Sequence, residues 1–228
     1  MLLRKISIGK RAASGFALMT LVMMFLGFFS LSQMQKLNQA TKEIDQHWLA
    51  GISTLLELNN KIGTVRLEGQ RFRASKDDAV RAKSRDLINQ ATADIVQLEE
   101  KYKLRDLAET ELATMTALER SLTLYFDDLN QLISLAEQHN LTDAEAESLS
   151  RQLSEGGASI SLNLEKLIAY NKAGSAEAAA GNEQNFGQAS MLVRITLLLA
   201  VLLTIVLAVV LTRSIVLPIR KALFAAET

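Results

Sequence analysis

Residues 192–222 read LVRITLLLAVLLTIVLAVVLTRSIVLPIRKA, and this stretch decides how the rest of the chain has to be arranged. From Leu192 to Leu211 only Arg194, Thr196 and Thr204 interrupt an apolar run, and about 20 residues at helical rise cross a bilayer core. The run therefore predicts a membrane-spanning helix, with Arg194 one turn inside and long enough to carry its charge to the headgroups. Thr212 and Arg213 close the span. Pro218 then interrupts the helix, and Ile215, Ile219, Ala222 and Leu223 recur at the spacing of an amphipathic helix that needs partner helices.

A second apolar run lies at the other end. Arg4, Lys5, Lys10 and Arg11 precede Ala12 to Leu31, which carries no charge. That run is longer than the apolar core of a cleaved secretory signal, so it is read as a retained span. Basic residues stand before the first span and after the second, at Arg213, Arg220 and Lys221. The positive-inside rule then puts both ends in the cytoplasm and everything between the spans outside. The expected organisation is a cytoplasmic N-terminus at 1–11, a span at 12–34, an outer domain at 35–190, a second span at 191–211, and the start of a further helical module at 212–228.

Between Gln35 and Ser190 there are 17 Lys plus Arg and 24 Asp plus Glu, a net charge of −7 that argues against a nucleic-acid surface. The chain has no cysteine and one proline. Disulfides and thiolate metal sites are thereby excluded, and helix is expected almost throughout.

Turn and cap signals divide the outer domain into four long helices. The first continues from the span to about Ala74, with Leu49, Ile52, Leu56, Ile62, Val65 and Phe72 in a loose three-four repeat. Ser75 to Asp78 has the form of a capping box, opening a helix to about Tyr102 through Val80, Leu87, Ala91, Ile95 and Leu98. Leu112, Met115, Leu118 or Glu119, Leu122, Tyr125, Leu129, Leu132 and Ala136 form the seam of the third, which ends near His139-Asn140. Thr142 to Glu145 is a second capping box, and its helix runs through Leu149, Leu153, Ile160, Leu164 and Leu167 into the second span. Four stripes of this kind are buried only together. The predicted fold is all-α: two transmembrane helices flanking an antiparallel up-down-up-down four-helix bundle.

No catalytic constellation is visible. His47 and His139 fall near opposite ends of the bundle, there is no glycine-rich phosphate loop, and no Ser-His-Asp set or carboxylate pair marks a cleft. No enzymatic activity, cofactor or metal is expected. Asp77-Asp78 and Glu99-Glu100 read as a helix start and a solvated face, and Trp48 as bundle packing.

The informative cluster is KIGTVRLEGQRFR at 61–73, which holds Arg66, Arg71 and Arg73 in the last turns of the first outer helix. Guanidinium groups at a helix interface make an anion site; alternatively they pair on the surface with Glu68, Asp77, Asp78, Asp127 or Asp128. Equal helical rise sets Arg66 level with about Ser150 to Gln152 on the fourth helix and Gln131 on the third. Arg151, Gln152, Ser154 and Asn130 then become candidate neighbours in a shared pocket. Gly156-Gly157 costs the fourth helix about 2 kcal/mol against two alanines, which close packing, a kink or slack beside a ligand would explain. Ala173, Gly174, Ala178 to Gly181 and Gly187 allow close approach, and sliding, lower on the same helix.

Span, outer bundle, span and then TRSIVLPIRKALFAAE at 212–227 together resemble the methyl-accepting chemotaxis proteins with a periplasmic four-helix-bundle ligand-binding domain, the tail being similar to the opening of a HAMP linker. The resemblance implies an inner-membrane homodimer whose first outer helices pair. It also implies a small-molecule ligand, an organic anion held by first-helix arginines at the location of Arg66, Arg71 and Arg73 and completed by polar groups of the fourth helix. Ligand binding, or docking of a periplasmic carrier protein, would shift the second span by a piston-like step toward a downstream kinase and adaptor. A sensor histidine kinase or cyclase with the same input is the first competing reading, and a non-sensory membrane-anchored scaffold the second.

Overall fold

The computed structural model describes residues 8–213, and every regular element among them is helical. The stretch from 214 to 228, including Pro218 and the linker-like tail, lies outside the described residues. Helix α1 (Ile8–Glu43) passes through a π-helical turn (Ile44–Leu49) into α2 (Ala50–Ala74); α3 (Asp78–Lys103), α4 (Glu109–Glu137) and α5 (Asp143–Leu211) follow. Two compact units result among the described residues: residues 42–179 form one, and residues 8–41 with 180–213 form the other.

Residues 42–179 are the four-helix bundle. Leu55, Leu58, Ile62, Val65 and Phe72 of α2 meet Ile88, Ile95 and Leu98 of α3, Met115, Leu118, Leu122, Leu129 and Leu132 of α4, and Leu149, Ile160, Leu164 and Leu167 of α5 in one core. Each such side chain contributes about 1.5–3 kcal/mol when fully buried. The α4 seam is as expected from Met115 to Leu132, although Leu112 is exposed and Glu111 is buried in its place. Along the π-helical turn and α2 the expected stripe is partly wrong. Leu49 and Leu56 are exposed, while Leu55 and Leu58 take the core positions.

The ends follow from local chemistry. Asp77, rather than Ser75, caps α3: its carboxylate accepts from Ala79 N at 2.8 Å, while the Ser75 hydroxyl accepts from Asp77 N at 3.1 Å. Arg81 ties this turn by donating from Nε to the Ser75 carbonyl and lying over the Phe72 ring. The box at Thr142 is reciprocal, since Glu145 accepts from Thr142 N and Glu145 N donates to the Thr142 hydroxyl. His139, at φ 55°, turns the chain out of α4 in the left-handed region.

At the opposite end of the bundle, Trp48 packs against His47 (4.7 Å between centroids) and Tyr170 (6.0 Å). Its ring occupies the place a side chain at position 174 would need, so Gly174 is there for close approach.

The other unit contains the first part of α1 and the last part of α5. Each has a window apolar and long enough to cross a membrane, of which 6% and 0% respectively is covered by protein. Phe16, Phe28, Leu198 and Leu202 stand open at 59–75%, unlike the core helix of a soluble protein. Arg194 leans back one turn, donating to the Ser190 carbonyl at 3.2 Å, the direction helical side chains favour.

Candidate functional site

The arginine-bearing turns of α2 form one wall of a cavity of about 360 Å3 within the bundle. Arg66, Gly69, Gln70 and Arg73 come from α2, Tyr125 and Leu129 from α4, and Ser150, Leu153, Ser154, Gly157, Ala158 and Ser161 from α5. Small residues open the space. Gly69 is already against Leu129, and Gly156 against Tyr125.

Arg66 crosses from α2 to α5. Its Nη2 donates to the Gly157 carbonyl and to the Ser161 hydroxyl at 3.2 Å, and Nη1 reaches the same hydroxyl at 3.3 Å. Nε is buried without a partner, and among the described residues no carboxylate pairs with this guanidinium. Arg73 also lines the cavity, and among the described residues no carboxylate pairs with it. Burial raises the Tyr125 phenol above its usual range, and the charges of Arg66 and Arg73 oppose that rise. The cavity is therefore electropositive, carries hydroxyl donors and lacks a counter-ion, an arrangement suited to a small anion.

Of the residues singled out from the sequence, Arg66, Arg73 and Ser154 share this cavity. Arg71 does not: it pairs with the buried Glu68 at 2.6 Å, and Glu68 also accepts from Ser84 at 2.8 Å. Arg151 and Gln152 are exposed and do not line the cavity, and neither does Asn130. Arg66 meets Gly157 and Ser161, about 1.4 to 3 turns farther from the α4–α5 connection than the Ser150 to Gln152 level that equal helical rise gives. Side chains on a helix lean toward its own N-terminus, so Arg66 reaches back along the bundle to Gly157 and Ser161. Sequence reasoning missed Ser161 and Tyr125; serines at 150, 154 and 161 with Gly157 between them form a small polar stripe on α5 that would have pointed there.

A second polar group lies where α3 ends and α4 begins. The Tyr102 hydroxyl donates to Glu111, Asn171 Nδ2 donates to Tyr102 Oη at 2.7 Å and to Glu111 Oε1 at 3.0 Å, and Arg105 Nη2 donates to Asn171 Oδ1 at 2.9 Å. Arg105 lies over the Tyr102 ring, with Nη1 3.6 Å from Glu111. Burial, then Glu111, pushes the Tyr102 phenol up. These hydrogen bonds tie the end of α3, the start of α4 and α5 to one another.

Glu99 corrects the reading of a solvated acidic face. It is half-buried, and desolvation followed by the charge of Glu119 raises its carboxyl to about 7, with Lys103 opposing. A carboxyl raised on folding favours the native state below its unfolded pKa, and that contribution is lost as pH climbs from about 4.5 to about 7. Glu99→Gln is expected to flatten this part of the stability profile and to add about 1 kcal/mol at pH 8, a figure discounted for solvent contact. Urea unfolding of both chains at pH 5 and pH 8 checks it; equal slopes would refute it.

The profile of four helix bundle sensory modules for signal transduction matches residues 5–186, covering α1 to α4 and the bundle part of α5. No match to a curated protein or to a solved structure accompanies it. By fold and by sequence, this chain belongs to the family of four-helix-bundle sensory modules of methyl-accepting chemotaxis proteins.

Proposed function

We propose that the chain is the input region of a transmembrane chemoreceptor that senses a small organic anion, such as an amino or organic acid, at the cavity beside Arg66. The observation that carries this reading is the continuity of α5. One uninterrupted helix of 69 residues supplies the serine wall of the cavity and the second apolar span. A ligand moves a conformational equilibrium only by its differential affinity for the two states, and a ligand bridging α2 and α5 gains or loses contacts when α5 shifts. The step travels as a small piston-like displacement to a cytoplasmic HAMP and signalling domain. The outer bundle is periplasmic, both termini are cytoplasmic, and the chain itself catalyses nothing.

Homodimer formation is part of the same proposal. Leu49, at the end of the π-helical turn, and Leu56 and Leu67 of α2 are 47–54% exposed. They recur at intervals of 7 and 11 residues, which places them on one helix face. Two such faces pair as a seam. Leu56→Asp is expected to weaken self-association at least about tenfold, read by analytical ultracentrifugation in detergent; an unchanged equilibrium would assign dimerisation to another surface.

The test of the sensory reading joins this chain to the signalling half of a characterised chemoreceptor and measures kinase output in membranes against a panel of amino and organic acids. A dose-dependent change with at least one anion is expected. No response to any of them, with the hybrid correctly inserted, would overturn direct anion sensing in favour of a carrier protein or a scaffold.

A further inference from the structure

A second cavity, of about 290 Å3, opens between α1 and α5 where the first apolar run has ended at Leu31 and the second begins at Leu192. Gln33 and Lys36 of α1 line it together with Asn182, Asn185, Gln188 and Leu192 of α5. We propose that it seats the headgroup of one anionic phospholipid of the phosphatidylglycerol type, whose acyl chain runs down the groove between the two spans. The inference rests on both apolar runs being membrane spans and is independent of the Arg66 cavity.

The charge balance selects the headgroup. Lys36 is the one charged residue lining the cavity, and among the described residues no carboxylate pairs with it. Four side-chain amides surround it, each offering N–H donors and a carbonyl acceptor. Asn182 Oδ1 is buried without a hydrogen-bond partner. One positive charge and no acid match a ligand of net charge −1. A glycerol phosphodiester supplies it: the phosphate takes the Lys36 ammonium and amide N–H groups, and a glycerol hydroxyl can donate to Asn182 Oδ1. Phosphatidylethanolamine would instead set its own ammonium beside Lys36 with no carboxylate to receive it.

The position selects a lipid over a free phosphate. Leu21 and Phe25 of α1 and Leu199, Ala200 and Leu203 of α5 line an apolar groove of about 310 Å3. The hydroxyl of Thr196, which also lines it, is engaged by the Leu192 carbonyl at 2.7 Å. Phe25 lies eleven residues from Lys36, and Leu199 eleven from Gln188. Eleven residues make three turns and about 20°, with a rise of about 16 Å. On each helix the polar and the apolar residue therefore share a flank, and their separation is close to one leaflet of a hydrocarbon core about 30 Å thick. Cavity and groove are successive openings along one side of the α1–α5 pair, spaced as the phosphate and acyl chain of one lipid are.

The test is native mass spectrometry of the full chain released from detergent micelles that hold equimolar phosphatidylglycerol and phosphatidylethanolamine with the same acyl chains, and, in a separate arm, glycerol 3-phosphate. Wild type is expected to retain phosphatidylglycerol at least about tenfold more than phosphatidylethanolamine. Lys36→Gln, which strands no partner, should bring phosphatidylglycerol down to the level of phosphatidylethanolamine and leave the latter unchanged. Ala200→Phe, which fills the groove, should lower both lipids at least about fivefold and keep their ratio. Equal retention of the two lipids by wild type, or an unchanged preference in Lys36→Gln, overturns the headgroup assignment. Glycerol 3-phosphate held as tightly as the lipid overturns the lipid in favour of a free phosphate. A folded chain that carries no lipid overturns the site and gives this flank to a second copy of the chain or to bulk lipid. A chain that stays folded and dispersed without detergent overturns, instead, the membrane reading of the two runs.

Discussion

Glu111→Ala is expected to destabilise the bundle by about 3–5 kcal/mol, the cost of breaking a buried ion pair on one side. Glu111 is 2% exposed in the first turn of α4. Its carboxylate is the common acceptor for Tyr102 and Asn171 and the counter-charge for Arg105. Without it, Arg105 remains against the Tyr102 ring with Nε and Nη1 already lacking hydrogen-bond partners, and a buried guanidinium is left uncompensated. Gly51 of α2 is packed so closely against Arg105 and Asn171 that the group has little space to rearrange. Thermal unfolding followed by circular dichroism should show a melting temperature lower by roughly 10 °C or more. Tyr102→Phe, which removes a hydroxyl and leaves the charge pair, should cost only about 1 kcal/mol. Equal losses in the two variants would mean that packing, and not the charge, holds this end together.

Why this group escaped the sequence, while so much of the fold did not, comes down to range. A helix seam is written locally, so Met115, Leu118, Leu122, Tyr125, Leu129 and Leu132 could be read from their own spacing. The Thr142–Glu145 box is equally local. Along the π-helical turn and α2 two apolar stripes compete. Leu49, Ile52 and Leu56 have the same three-four spacing as Leu55, Leu58 and Ile62, and only contact with three other helices selects the second set for burial. Glu111 reads locally as an acid favouring a helix N-terminus. Its burial depends on Asn171, 60 residues away. The anion cavity lies between these extremes. Its arginines were visible as an unusual cluster, but which of them keeps a free charge was decided by Glu68, which takes Arg71 and leaves Arg66 and Arg73.

Arg66→Ala is expected to abolish anion binding, by a factor of about 100 or more, while leaving the bundle folded. Truncating a hydrogen-bonded charge opposite a bound charge costs about 2–5 kcal/mol of affinity. The fold loses far less, because the residues Arg66 touches do not depend on it: the Gly157 carbonyl also accepts from the Ser161 hydroxyl at 3.1 Å, and no carboxylate is stranded by its removal. A stability change within about 1 kcal/mol follows. Arg66→Lys separates charge from geometry. An ammonium keeps the positive field but cannot present the planar fork that reaches Gly157 and Ser161 together, so binding weaker than wild type and stronger than Arg66→Ala is the expected order. Calorimetry on the three chains reads the affinities, and circular dichroism the folding. Wild-type affinity in Arg66→Ala would remove the cavity from the signalling path, and α5 would then have to be moved by contacts elsewhere on the bundle.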